Sequence, residues 1–188
     1  MILDFSWRDR ARRQRLEHVL QRVNHARALG KNHASYAAVL SAAFDVLAQV
    51  DEHIDADHTD PDELMDRFCG AHTRLAVYGS LAPGEKNHAV IHDIPGQWQD
   101  GYVHGEVHPV GWGEAIGYPG MTWLPHSPER VAVRLFTSPA LSAHWRGIDS
   151  FEGRDYLRIL VPVDGLTNGP VVANIYQVRT PATPPLTN

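Results

Sequence analysis

The sequence predicts an α+β fold, in which a helical hairpin precedes a larger region of short strands with a barrel-like signature. Two segments within the first 50 residues repeat apolar side chains at helical spacing. After Gly70 the chain changes to β-rich runs divided by glycine and proline. A length of 188 residues, 43% of them hydrophobic and 21% charged, is enough for one sizeable core, so one main domain with a small helical appendage is expected.

The first helix is expected over residues 6–27. Leu16, Val19, Leu20 and Val23 fall on one stripe, Ser6 followed by Asp9 offers an N-terminal cap, and Gly30 offers a stop. The second is expected over about 35–50, where Tyr36, Val39, Leu40, Ala43, Val46, Leu47 and Val50 make an apolar stripe. The two should pair as a hairpin. Residues 51–62 are polar and acidic and read as a connector, and Pro61 can open a short helix over 62–68. These segments make up an N-terminal region of residues 1–70.

In residues 71–180 the runs RLAVYGSL, WQDGYVHGEVHPV, VAVRLFTS, YLRILVPV and VVANIYQV read as strands. One helical piece interrupts them at 139–151, with Leu141, Trp145 and Ile148 on one side and Gly153 just past its end. Residues 112–123 read as loop. The proline-rich end, 181–188, is expected to be a flexible tail.

Composition narrows the function classes. A net charge of −5 and a pI near 6.1 argue against a nucleic-acid binder. The lone Cys69 cannot staple the fold, which suits a reducing compartment. The opening MILDFSWRDR has no apolar core of a signal peptide, and nothing approaches the roughly 20 apolar residues of a membrane span. A cytoplasmic setting without membrane contact is therefore expected. Arginines 8, 10, 12, 13, 15, 22 and 27 give the first helix a basic face, open to phosphates, to an acidic partner, to the acids of 51–62 or simply to solvent. The apolar stripes of the hairpin can pack on the strand domain or on another subunit, so the hairpin is a candidate dimer or partner contact.

Two places can carry chemistry. The strand ending RLAVYGSLAPGE runs into a turn with Gly79, Ser80 and Gly84, which leaves backbone N–H groups without ladder partners and able to cradle a carboxylate or carbonyl oxygen. A purely structural strand-to-glycine turn reads the same way. The segment WRGIDSFEGRDYLR puts Asp149 and Glu152 at a helix C-terminus, where the helix dipole disfavours the charged carboxylate and makes it a better base. Surface pairing of these acids with Arg146, Arg154 or Arg158 is the alternative.

Taken together, YGSLAPGE near the domain start, Gly101-Tyr-Val-His-Gly105, GYPG at 117–120 and DSFEGRDYLR before a strand resemble the γ-glutamylcyclotransferase-like superfamily, in its bacterial YtfP-like branch. The order and spacing match over about a hundred residues. The resemblance implies a small mixed β-barrel, partly closed, that converts a γ-glutamyl amine or amide into 5-oxoproline and the free amine. It implies that Tyr78, Gly79, Ser80 and Leu81 bind the γ-glutamyl group, that Glu152 is the general acid/base, and that Tyr156 helps to close the site. A small-molecule γ-glutamyl substrate and no cofactor are expected, because the attack is intramolecular. Members acting in glutathione metabolism carry Asn at the position of Leu81, so the resemblance does not extend to their peptide substrates. It stops near residue 70 and leaves the hairpin unassigned.

Two rival functions use the same sequence. One is a non-catalytic small-ligand-binding module on the same fold. The other is a metal protein in which His104, Glu106 and His108, alternating along a strand, share one face. The absence of an evident fourth ligand, and Pro109 at the strand end, count against the latter.

Overall fold

The computed structural model describes residues 10–48, 66, 69–109 and 119–179. Helices α1 (Arg10–Leu29), α2 (Tyr36–Ala48) and α3 (Trp145–Glu152) accompany six strands. These are β1 (Arg74–Val77), β2 (Gln97–His108), β3 (Gly120–Trp123), β4 (Arg130–Thr137), β5 (Tyr156–Val163) and β6 (Val171–Val178). The expected Ser6 cap, the acidic connector, the tail and, apart from Asp66, the short helix over 62–68 lie outside the described residues.

The strands form one sheet in the order β3-β2-β4-β1-β6-β5. Neighbours are antiparallel except β1 and β6, which run parallel with Leu75 opposite Asn174. Strand β2 is long enough for two partners: residues 97–104 pair with β4 and residues 105–108 with β3. Gly105 stands at that switch because the strands crowd there, and a Cβ on it would lie 2.4 Å from the Thr122 carbonyl oxygen. The sheet then curls back on itself. Tyr102 N–H donates to the Asp164 carbonyl (3.0 Å) and Asp164 N–H to the Tyr102 carbonyl (2.9 Å), so the six strands nearly close into a mixed barrel. The one strand the sequence did not signal is β3, which occupies part of the expected 112–123 loop. Four residues that begin with glycine are too few for an alternating pattern to stand out.

Strand β1 lies mid-sheet and is covered on both sides, which explains its unbroken apolar run. Leu75 and Val77 join a cluster with Phe136, Leu141, Trp145 and Ile148, whereas Ala76 joins the other cluster. That other cluster also contains the hairpin. Leu16, Val19, Leu20, Val23 and Ala26 of α1, with Leu40 and Ala43 of α2, are buried together with Ile159, Val161 and Val163 of β5. The apolar stripe of α1 therefore faces its own barrel.

Polar clips fix this docking. Arg13 donates to both carboxylate oxygens of Asp164 (2.8 and 2.7 Å) and to Glu17 (2.9 Å). The Asn24 side-chain amide donates to the Leu160 carbonyl and accepts from Leu160 N–H, both at 2.8 Å, and so satisfies the backbone of the sheet-end strand β5. The basic face expected on the first helix is accordingly split. Arg13 and Arg27 turn inward to carboxylates that burial would otherwise leave uncompensated, while Arg10 and Arg15 stay exposed.

A second polar knot joins hairpin, Asp66 and barrel. Fully buried Asn174 donates from Nδ2 to Asp66 Oδ1 (3.0 Å) and to the Ala71 carbonyl (2.9 Å). Its Oδ1 accepts from Arg27 (3.0 Å) and Arg158 (3.3 Å). The amide thus makes all four of its hydrogen bonds. Replacing it by leucine strands charged groups in the interior, and Asn174→Leu is expected to cost about 3 kcal/mol. The check is urea unfolding: a midpoint within about 0.3 M of the parent's, at unchanged slope, would show that the knot contributes little.

Candidate active site

Strand β1 ends at Val77 and the chain turns through Tyr78, Gly79, Ser80 and Leu81. The acceptors of this turn are occupied from behind. Ala82 N–H donates to the Gly79 carbonyl (3.0 Å), Asn87 N–H to the Ser80 carbonyl (2.9 Å), and the Asn87 side-chain amide to Ser80 Oγ (2.9 Å). The His88 ring nitrogen Nδ1 lies 2.9 Å from the Leu81 carbonyl. The donors are left over: among the described residues no loop hydrogen bond uses the N–H groups of Gly79, Ser80 or Leu81. All four turn residues line a half-open pocket of ≈ 430 Å³, mouth included, whose other walls are Ala76, Val77, Pro119, Glu152, Tyr156 and Tyr176.

Glu152 is the last residue of α3. Gly153 then takes φ 71°, which costs glycine nothing, and swings the chain into β5 so that Tyr156 starts that strand at the pocket wall. Glu152 is only 9% exposed, and its carboxyl is pushed up to about 7, first by burial and second by the charge of Asp149. The direction agrees with the helix-end expectation, but the leading cause is desolvation rather than the dipole. Asp149 has a different role. It accepts from Arg158 Nε (2.9 Å) and Nη2 (3.4 Å) and from the Tyr176 hydroxyl (2.6 Å). Pairing with arginine therefore describes Asp149, while Glu152 lines the pocket.

The tyrosines shape the pocket and hold it together. The Tyr78 hydroxyl donates to the Tyr176 carbonyl (2.9 Å) and accepts from Met121 N–H (3.3 Å), so it braces β6 against β3 while its residue lines the site. Burial, followed by Tyr156 and Glu152, holds the Tyr78 phenol well above its ordinary pKa; burial and then Asp149 do the same for Tyr176. Both stay protonated over the working range. Tyr156 is buried and lines the same pocket, so all six residues singled out in the sequence meet there.

Sequence reasoning missed Tyr176 and the two residues behind the loop, Asn87 and His88. Tyr176 had a signal, since it alternates with Asn174 along β6 and two polar side chains two apart in an apolar strand mark a polar interior. Asn87 and His88 had none, because their role depends on how the loop folds back. The trio His104, Glu106 and His108 does not form a metal site. His104 Nδ1 is 2.8 Å from the Ser127 carbonyl, and among the described residues no three His, Cys, Asp or Glu side chains converge as ligands.

A sequence model of the family described as "Gamma-glutamyl cyclotransferase, AIG2-like" matches residues 75–187, more than half of the chain. The chain belongs to this family. Solved structures with a similar fold include an AIG2-like protein from Mus musculus, 22% identical with a TM-score of 0.48 over 58% of this chain and 79% of that one. Another is YkqA from Bacillus subtilis, 20% identical with a TM-score of 0.45 over 57% of this chain and 36% of that one, so this chain spans little more than a third of that protein's length. A third, c4763 from a uropathogenic E. coli, is 18% identical with a TM-score of 0.42 over 56% and 79%. No curated protein matches in sequence. Among the described residues no helix is long and apolar enough to cross a membrane.

The raised carboxyl makes folding stability depend on pH. Between 4.5, the ordinary value, and about 7, the unfolded chain releases the Glu152 proton and the folded chain keeps it, so this residue's contribution falls as pH rises through that window. Glu152→Gln removes the charge at all pH values. The variant is expected to be more stable than the parent at pH 8, by up to about 3 kcal/mol, and equal to it near pH 4. Denaturant titrations at both pH values measure this, and equal stabilities at pH 8 would contradict it.

Proposed function

We propose that the protein cyclises a γ-glutamyl amine or amide to 5-oxoproline with release of the amine. In this reading Glu152 is the general acid/base and the 78–81 loop holds the γ-glutamyl group. One observation supports it: Gly79, Ser80 and Leu81, whose N–H groups the loop's own hydrogen bonds do not use, line the same pocket as a buried carboxyl raised to about 7.

The chemistry needs little else. Glu152, as carboxylate, takes a proton from the substrate's α-ammonium group. The freed amine attacks the γ-carbonyl carbon, closing a five-membered ring and moving an electron pair onto the carbonyl oxygen. That oxyanion would sit against the N–H groups of Gly79, Ser80 and Leu81, where each donor is worth about 3 kcal/mol. As the carbon–nitrogen bond to the leaving amine breaks, Glu152 returns its proton to the departing nitrogen, and 5-oxoproline and the free amine remain. A carboxyl poised near 7 suits both halves, since it gives and takes a proton at similar cost.

Tyr78 and Tyr156 would flank the γ-glutamyl group, and Tyr176 would hold Tyr78 in place. A reducing, cytoplasmic setting fits the single cysteine, Cys69, which is buried and whose thiol burial pushes up to about 12.

Incubation with a panel of γ-glutamyl amines and γ-glutamyl amino acids, followed by assay of 5-oxoproline, is expected to give product from at least one member. Its kcat/KM should rise with pH about a midpoint near 7, and Glu152→Gln should lower it by about 10²-fold or more. Product from no member, or undiminished turnover by the variant, would refute the assignment.

A further inference from the structure

Behind the 78–81 loop the chain folds back, and the segment from Asn87 to Ile94 forms a firm backing. Val90 N–H donates to the Asn87 carbonyl (3.1 Å), Ile91 and His92 N–H to the His88 carbonyl (both 3.0 Å), and Ile94 N–H to the Ile91 carbonyl (3.1 Å). Ile91 and Ile94 are buried in the same cluster as Leu75, Val77 and Leu81. The His88 ring centre lies 5.8 Å from that of Trp98 on β2, which lies 4.7 Å from that of Phe136 on β4. Asn87 and His88 therefore reach the loop from a platform that is itself packed on the barrel.

What they hold is the orientation of successive peptides. A trans peptide is planar, so its carbonyl and the N–H of the following residue point in opposite directions. No cis peptide interrupts the described residues. The Asn87 N–H holds the Ser80 carbonyl, and this sets the direction of the Leu81 N–H. His88 Nδ1 holds the Leu81 carbonyl, which sets the Ala82 N–H; that N–H in turn holds the Gly79 carbonyl, which sets the Ser80 N–H. The Asn87 side-chain amide adds a bond to Ser80 Oγ (2.9 Å). Three consecutive peptides are thus locked by their carbonyls, and the N–H groups of Ser80 and Leu81 are turned away from the bonds that lock them. The Gly79 N–H belongs to the peptide before these, whose Tyr78 carbonyl no turn or loop hydrogen bond holds among the described residues.

We propose that Asn87 and His88 are positioning residues that aim the N–H groups of Ser80 and Leu81 into the pocket as a pair of oxyanion donors. The kinetic part of this inference rests on the cyclisation reading and extends it, by singling out two of the three loop donors and naming what orients them. A carbonyl only accepts, so His88 Nδ1 carries a proton whether the ring is neutral or charged. His88 therefore holds the loop as a donor in both states and is not the base. Donors fixed before the carbonyl oxygen becomes negative act on the transition state more than on the bound substrate, so misaligning them lowers kcat more than it raises KM.

His88→Ala and Asn87→Ala are each expected to lower kcat for 5-oxoproline release by about tenfold or more, with KM within about threefold of the parent's. His88→Asn, whose amide donates from nearly the place of Nδ1, is expected to restore most of the loss and to leave the pH midpoint of kcat/KM unmoved. In a Ser80→Ala background Asn87→Ala should cost little more, since the amide acts through Ser80 Oγ. A second readout on the full chain needs no turnover. Backbone amide relaxation of Ser80 and Leu81 is expected to give order parameters of about 0.85 in the parent, below about 0.6 in His88→Ala, and near the parent's again in His88→Asn. Thermal melts check that each variant stays folded. If no γ-glutamyl compound yields product, the cyclisation reading fails and the relaxation data alone decide whether the loop is held in this way. Order parameters unmoved by His88→Ala, a loss borne by KM rather than kcat, a shifted pH midpoint in His88→Asn, or no rescue by that variant would each overturn the proposal.

Discussion

Asn174 is the point on which three separately coded parts of the chain converge. It comes from the strand that pairs with β1 in parallel, and its amide ties Asp66 of the expected short helix, the hairpin through Arg27 and the neighbouring strand through Arg158. A fully buried amide with every donor and acceptor used specifies one arrangement, since any shift in register or helix position strands a charged partner in a low-dielectric interior. Arg158 in turn orients Asp149, and Asp149 both receives the Tyr176 hydroxyl and raises the neighbouring Glu152 carboxyl. The poise of the pocket is thereby connected, through four side chains, to the docking of the hairpin.

That connection explains an unusual division between acids on one short helix. Asp149 and Glu152 are three residues apart and would be interchangeable on a solvated surface. Here they part: Asp149 meets the Arg158 guanidinium and the Tyr176 hydroxyl, while Glu152 lines the pocket and burial pushes its carboxyl up to about 7. A carboxyl that burial raises toward neutrality is suited to acid/base chemistry near neutral pH.

Much of the fold was legible in the sequence because the signals were local. The stripe Leu16, Val19, Leu20, Val23 spelled out α1, and the runs around Leu75, Val133, Ile159 and Ile175 each carried enough β-branched residues to be read as strands. The turn at 78–81 and Glu152 were legible for another reason, since their order and spacing matched a family pattern. What could not be read were features that depend on contact across the chain. Strand β3 is four residues long and owes its existence to pairing with β2; the inward turn of Arg13 and Arg27 depends on where Asp164 and Asp66 lie; and the support of the loop by Asn87 and His88 arises only after the chain has folded back. The basic face seen in the sequence was a real concentration of charge, but tertiary structure spent part of it on buried carboxylates.

The Asn24 amide against Leu160 has a consequence for where this protein can be divided. By pairing with both backbone groups of one residue, a helix side chain stands in for a strand at the edge of the sheet. The family match begins at residue 75, after the hairpin. A polypeptide cut at that point would bare the Leu160 edge, uncover Ile159, Val161 and Val163, and leave Asp164 without its guanidinium. The family match and the buried core therefore have different borders. For this chain the hairpin supplies part of the core that the barrel strands share.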